Sequence, residues 1–148
     1  MAAFEVNFPD DFLSELLEAD FDEIAEEALK ETAPLLERSM QDSCRRVIEH
    51  EGDSELVESI TARKPKKTKT DAWIVNVGPT GYSKEKKYHH KVSGREYPVS
   101  NALKAIWKEY GIAGQQPAKP FITSAVNSVR DAVMDKMQEV FNRKVGGQ

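Results

Sequence analysis

Apolar positions recur at spacings of three and four between Asp22 and Ile48. Ile24, Ala25, Ala28, Leu29, Leu36, Met40, Cys44, Val47 and Ile48 share one stripe with Thr32, which predicts the longest helix of the chain. Asp22, Glu23, Glu26 and Glu27 gather at its N-terminal end and Arg45 and Arg46 near its C-terminal end, both favourable with the helix dipole. Pro34 lies inside this stretch, without an N–H and with its ring against the carbonyl of Lys30, so a kink or break is expected between Thr32 and Pro34. Gly52 marks the expected end. A second clean stripe, Ile122, Ala125, Val126, Val129, Val133, Met137, Val140 and Phe141, predicts a closing helix that starts at Pro120 and frays over residues 145–148. Between the two, Ser100 is a good N-cap and Gly111 a good stop. Leu103, Ile106, Trp107 and Tyr110 then fall on one face of a short helix, predicted to anchor a docking corner that runs through Gln115 and Pro117 to Phe121.

Period two is rarer. Phe4, Val6 and Phe8 alternate with polar residues up to Pro9, so residues 1–9 read as a strand or a loose arm. Asp10 or Asp11 then caps a short helix carrying Phe12, Leu13, Leu16 and Leu17. Residues 54–60 read as a helical turn running into a strand through Ile60, Ala62 and Lys64. The basic stretch from Arg63 to Thr70 reads as an exposed loop or hairpin tip. Asp71 to Gly78 is the clearest strand, expected to be buried on both faces near Ile74 and Val75, and its antiparallel pairing with residues 57–64 is the preferred sheet nucleus. Residues 80–99 carry no countable period and read as a long basic loop, with one added strand near Tyr88 to Val92 and a turn at Ser93-Gly94-Arg95. The expectation is a single α+β domain over residues 1–148, a small antiparallel sheet packed against a long Pro-kinked helix and a C-terminal helix.

Composition narrows the class. With 39% apolar and 31% charged residues the chain is neither disordered nor membranous, and no apolar run approaches bilayer length. The start from Met1 to Asp11 lacks a secretory layout, and the single cysteine, Cys44, forms no internal disulfide, so a reducing cytosol is expected. Charge is unevenly spread. Residues 1–60 hold 18 Asp and Glu against 4 Lys and Arg, a net of −14, and residues 61–148 hold 7 against 17, a net of +10. Either the halves neutralise each other inside one fold, which is the default, or the acidic face of one copy meets the basic face of the next.

Candidate chemistry is thin. His89 and His90 are adjacent, point apart and cannot chelate one ion as an i, i+4 pair can, so they read as solvated. Cys44 sits on the apolar stripe beside Met40 and Ile48 and reads as core. Gly78-Pro79-Thr80-Gly81 lacks the spacing and the lysine of a phosphate loop, and the acidic clusters lack calcium-loop spacing. No catalytic residue, cofactor or metal is expected. The basic residues Lys64, Lys66, Lys67 and Lys69, with Lys84, Lys86 and Lys87, interleave with Tyr82, Tyr88 and the histidines and could neutralise phosphates. The sequence pI near 5.5 and the lack of a helix-turn-helix or zinc-finger spacing limit this to a non-specific accessory contact.

The chain also contains, in order, Ala33-Pro34, Leu56-Val57-Glu58-Ser59-Ile60, Val77-Gly78-Pro79, Tyr110-Gly111 and Pro117-Ala118-Lys119-Pro120-Phe121. In this order and spacing it resembles the HK-ninety-seven gene-product-ten-like family of tailed-phage head-tail connection and tail-completion proteins, from about Ala28 onward. It departs from the pattern at Lys119, where arginine is usual, at Asp53-Ser54-Glu55, where Thr-Gly is common, and in the long basic insert at 82–99. Lysine keeps the charge at 119 but loses bidentate hydrogen bonding. The resemblance implies a virion structural protein without enzymatic activity. It would form a ring of six copies in the neck of the virion, assembled in the host cytoplasm with connector and tail proteins, and DNA would pass through it. Partner-interface candidates are then Tyr110, Gly111, Gln115, Pro117, Lys119 and Phe121, with acidic helices of one subunit facing basic strands or loops of the next.

Overall fold

A computed structural model of the protein describes residues 15–49 and 53–146. The expected strand or arm at 1–9, the cap at Asp10 or Asp11, the stop at Gly52 and the last two residues of the tail lie outside the described residues. Residues 15–18 are helical. Helix α1 (Phe21–Val47) starts on Asp20, whose Oδ1 accepts from the backbone N–H of Asp22 (3.0 Å) and Glu23 (3.1 Å), and it ends at Ile48, a turn before the expected glycine. The expected break is not seen: α1 runs through Pro34. Pro34 lies on the exposed side of the helix, while the buried side carries Ala28, Thr32, Ala33 and Met40 and is held by packing. Proline interrupts one hydrogen bond there without unseating the helix.

Helix α2 (Ser54–Ser59) passes directly into β1 (Ile60–Ala62), as expected. After the tip containing β2 (Lys66–Lys67), the chain returns through β3 (Trp73–Ile74) and β4 (Val77–Pro79). Ile60 pairs with Pro79 and Ala62 with Val77, and Lys66 pairs with Ile74, all antiparallel. The Arg63 N–H to Asn76 carbonyl bond (2.8 Å) joins the two ladders. The expected nucleus therefore forms, but residues 57–59 stay helical, and Ile74 and Val75 are half-buried instead of buried on both faces. The far edge of β1 is closed by α1: Gln41 donates to the Ile60 carbonyl (2.9 Å) and Glu37 accepts from the Ala62 N–H (2.6 Å), which removes an open strand edge.

Residues 80–99 differ most from expectation. They form an antiparallel ribbon of β5 (Tyr82–His89) and β6 (Glu96–Ser100), with a register shift between Tyr82 and Lys87 and a tip closed at Gly94, whose φ is +67°. Both faces of the ribbon are largely exposed, so no alternation of apolar and polar residues is needed and none is written in the sequence. β6 leads into α3 (Asn101–Tyr110), capped as expected by Ser100 Oγ on the Leu103 N–H (3.1 Å). Helix α4 (Phe121–Val145) then packs along α1.

The fold is thus α+β, with small two-stranded antiparallel ladders beside a pair of long helices. Its core gathers Met40 and Cys44 from α1, Leu56 and Val57 from α2, Ile60, Ala105 from α3, and Phe121 and Ala125 from α4. Charge closes the helix pair. Arg143 bridges Glu27 (3.0 Å) and Glu31 (2.5 Å), Lys144 bridges Glu23 and Glu27 (2.8 Å each), and Lys136 reaches Glu31 (3.6 Å). These bridges set acidic residues of the first half against basic residues of the second within one chain.

Candidate functional site

Helix α3 faces the wrong way for its sequence. The apolar stripe was expected to dock on the core, yet Ile106 is 50% and Tyr110 77% exposed, and Leu103 and Trp107 are only half-buried. The residues turned inward are Asn101, Lys104, Ala105 and Glu109. Two carboxylates beneath the helix explain this. Asp53 is buried and Glu55 is half-buried, and each favours a counter-charge beside it. Lys108 Nζ lies 3.2 Å from Asp53 and Lys104 Nζ 3.8 Å from Glu55, one helical turn apart. Burial pushes the Asp53 carboxyl up, but the Lys108 ammonium, with Lys86 and Lys104 behind it, more than offsets this and holds it below its ordinary value of 3.8. Asn101 Nδ2 donates to the Thr80 carbonyl (2.9 Å), while Asn101 Oδ1 and Lys104 Nζ have no hydrogen-bond partner among the described residues.

Glu109 does a different task. No side chain at Pro120 caps α4, and Glu109 supplies the cap across the corner. It accepts from the backbone N–H groups of Ile122 (2.8 Å) and Thr123 (3.0 Å) and from the Thr123 hydroxyl. The α3–α4 angle is therefore fixed by a carboxylate.

Gly111 ends α3 at φ +76° and ψ 178°, an extended conformation with positive φ that glycine alone takes easily, instead of the left-handed helical one. A Cβ there would lie 2.7 Å from the Ala118 nitrogen and the Gln116 oxygen. The loop folds on itself, with Ile112 and Gln116 exchanging backbone hydrogen bonds (2.8 and 2.9 Å). An open groove of about 550 Å³ results, lined by Tyr110, Gln115 and Pro117 with the rest of the turn. Lys119 is half-buried, its N–H bonded to the Lys108 carbonyl (2.7 Å) and its ammonium paired with Glu49. Of the six corner candidates, Tyr110, Gln115 and Pro117 are exposed around one groove, Gly111 shapes it and Lys119 is tied down. Phe121 is 0% exposed, so it is a core residue and offers no surface to a partner.

The basic candidates also divide. Lys67 pairs with Asp22 (2.7 Å) and Asp71 (3.0 Å); with the Trp73 indole N–H, it holds the Asp22 carboxyl below its ordinary range. Lys86 reaches Asp53 (3.6 Å). Lys64, Lys66, Lys69, Lys84 and Lys87 are exposed and make no ion pair with described residues. The ribbon is seated at its base only: Glu55 accepts from the Lys84 N–H (2.8 Å) and the Ser83 hydroxyl (3.3 Å), and Ser83 and Val99 are buried. The sequence offered little to find Asp53, Glu55 and Glu109, because carboxylates on a charged chain look alike until a lysine pair such as Lys104 and Lys108 is placed opposite them.

Cys44 is fully buried, and burial pushes its thiol up to about 11, far from nucleophile chemistry. Among the described residues no group of three His, Cys, Asp or Glu is placed to hold a metal ion, and no helix is long and apolar enough to cross a membrane. Compared with models of protein families, with curated proteins and with solved structures, the chain finds no match.

Proposed function

We propose that the chain is a structural protein of a tailed-phage virion that joins or completes the tail at the head–tail interface, as a ring of six copies. One observation carries this reading beyond the order of motifs: α3 turns its ionic residues inward and Ile106 and Tyr110 outward, next to the Tyr110–Pro117 groove. Ile106 and Tyr110, exposed beside the groove, are the apolar surface that this reading gives to a partner. In this reading copies contact one another and the connector and tail proteins through that stripe and groove. The acidic residues of α1 are already engaged by α4, so the expected acid-to-base contact between subunits gives way to an apolar one. The role needs neither a chemical step nor a cofactor, and it places the protein in the neck of the virion.

Native mass spectrometry tests it, on the purified chain alone and mixed with tails or connector-bearing heads of a phage that encodes it. Association that disappears in an Ile106→Glu, Tyr110→Glu variant of unchanged Tm is the expected result. A monomer in every mixture, or association indifferent to the double variant, contradicts the proposal.

A further inference from the structure

The β5–β6 ribbon is an arm whose free length serves nothing in the fold. Beyond Ser83 and Val99 its residues are exposed, and its described neighbours lie at its base. Between Tyr82 and Tyr97 it carries five Lys and Arg against two Glu, a net of +3 on a chain of net −4. Outside the ribbon, Lys67, Lys108, Arg143 and Lys144 are matched inside the chain by Asp22, Asp53 and the acidic residues of α1, while Lys64, Lys66 and Lys69 on the other tip are unmatched among the described residues but carry no aromatic pair beside them. Lys84, Lys87, Lys91 and Arg95 have no such match among the described residues.

Register puts aromatic rings on one face of this charged ribbon. Tyr88 pairs directly with Tyr97, and their rings stack at 5.7 Å with 29° between planes. His90 meets Tyr97 edge-on at 6.2 Å. The two tyrosines stay 47% and 38% exposed. An exposed aromatic pair on a narrow ribbon that also carries unmatched cations, with Lys87 on the opposite face from Tyr88, fits a base together with the phosphates of a flexible strand that wraps it, since stacking on an aromatic ring tolerates any base and lysines follow the backbone. An acidic protein surface would use the cations but leave the ring faces idle, and so would the outside of a duplex.

We infer that the β5–β6 ribbon binds single-stranded nucleic acid without sequence preference, Lys84, Lys87, Lys91 and Arg95 neutralising phosphates and the Tyr88–Tyr97 face stacking a base. This goes beyond the joint proposed above and stands on separate residues.

Fluorescence anisotropy with a labelled oligothymidylate of about 20 nucleotides, titrated between about 50 and 200 mM salt, tests it. Lys84→Gln, Lys87→Gln, Lys91→Gln together should weaken binding at least about 10-fold at low salt and flatten the slope of log K against log salt by about 2. Tyr88→Ala should weaken it by about 5-fold or more with the slope unchanged, and Tyr88→Phe should restore it, which separates stacking from collapse of the ribbon. A Lys66→Gln, Lys69→Gln variant on the other tip should leave affinity within about 2-fold. Circular dichroism confirms that each variant is folded. No binding at low salt, equal losses from both lysine sets, a duplex bound as tightly as the single strand, or full competition by polyglutamate at matched charge would each overturn the inference.

Discussion

Replacing Phe121 by alanine empties the centre of the core. The ring is 0% exposed and shares its cluster with Met40, Cys44, Leu56, Ile60 and Ala125. Truncating a buried phenylalanine costs about 3 to 5 kcal/mol, from lost transfer energy and from the cavity left behind. Against a total stability of about 5 to 15 kcal/mol this is a large fraction. Tyr110, on the same corner and 77% exposed, is the control: Tyr110→Ala should cost less than about 0.5 kcal/mol. Urea unfolding followed by the fluorescence of Trp73 and Trp107 reads both. With a slope of about 2 kcal/mol per molar, Phe121→Ala should lower the midpoint by roughly 1.5 to 2.5 M and Tyr110→Ala by less than about 0.3 M. A shift below about 0.5 M for Phe121→Ala would refute its place at the centre of the core, and one above about 1 M for Tyr110→Ala would refute the outward orientation of α3, because it would mean that the apolar stripe of that helix is packed after all.

Gly111→Ala should destabilise by about 3 kcal/mol, combining a positive φ with a Cβ driven against the Ala118 and Gln116 backbone, while Gly114→Ala, in open space at a similar φ, should cost about 1 kcal/mol; thermal melts of the two variants make the comparison. The Cys44 thiol should react with a disulfide reagent in native buffer orders of magnitude more slowly than in urea, and fast labelling of the folded protein at pH 8 would contradict its burial and raised pKa of about 11. Asp53 has a folded pKa below its unfolded one, so the stability it contributes is present above the ordinary value near 3.8 and is lost as pH falls to and through the lower folded value. Asp53→Asn should therefore flatten the acid limb of the stability profile while costing about 3 kcal/mol at pH 7, where it strands the Lys108 ammonium, and an unchanged acid limb would show that the pair contributes nothing.

The elements with one wet and one dry side were legible. The stripes of α1 and α4, the Ser100 cap, the Gly111 stop and the passage from helix to strand at Ile60 all carry a period or a punctuating residue. The β5–β6 ribbon was not, because a ribbon exposed on both faces places no demand on which residues alternate; its hydrogen bonds are made by backbone alone. Orientation of α3 failed for another reason. Apolar periodicity predicts the buried face only when nothing more costly competes, and here a buried carboxylate, Asp53, and a half-buried one, Glu55, outrank an isoleucine and a tyrosine. Phe121 anchors the corner in the core, as its place in the apolar pattern suggests, whereas Tyr110, expected to anchor beside it, lies outside.

The most direct measurement is electron microscopy of lysates from a phage that encodes this chain, grown with a stop codon in its gene. A neck joint predicts filled heads and complete tails that remain separate, with joining restored by the wild-type chain and not by the Ile106→Glu, Tyr110→Glu variant. Joined, infectious particles in the absence of the chain would contradict it.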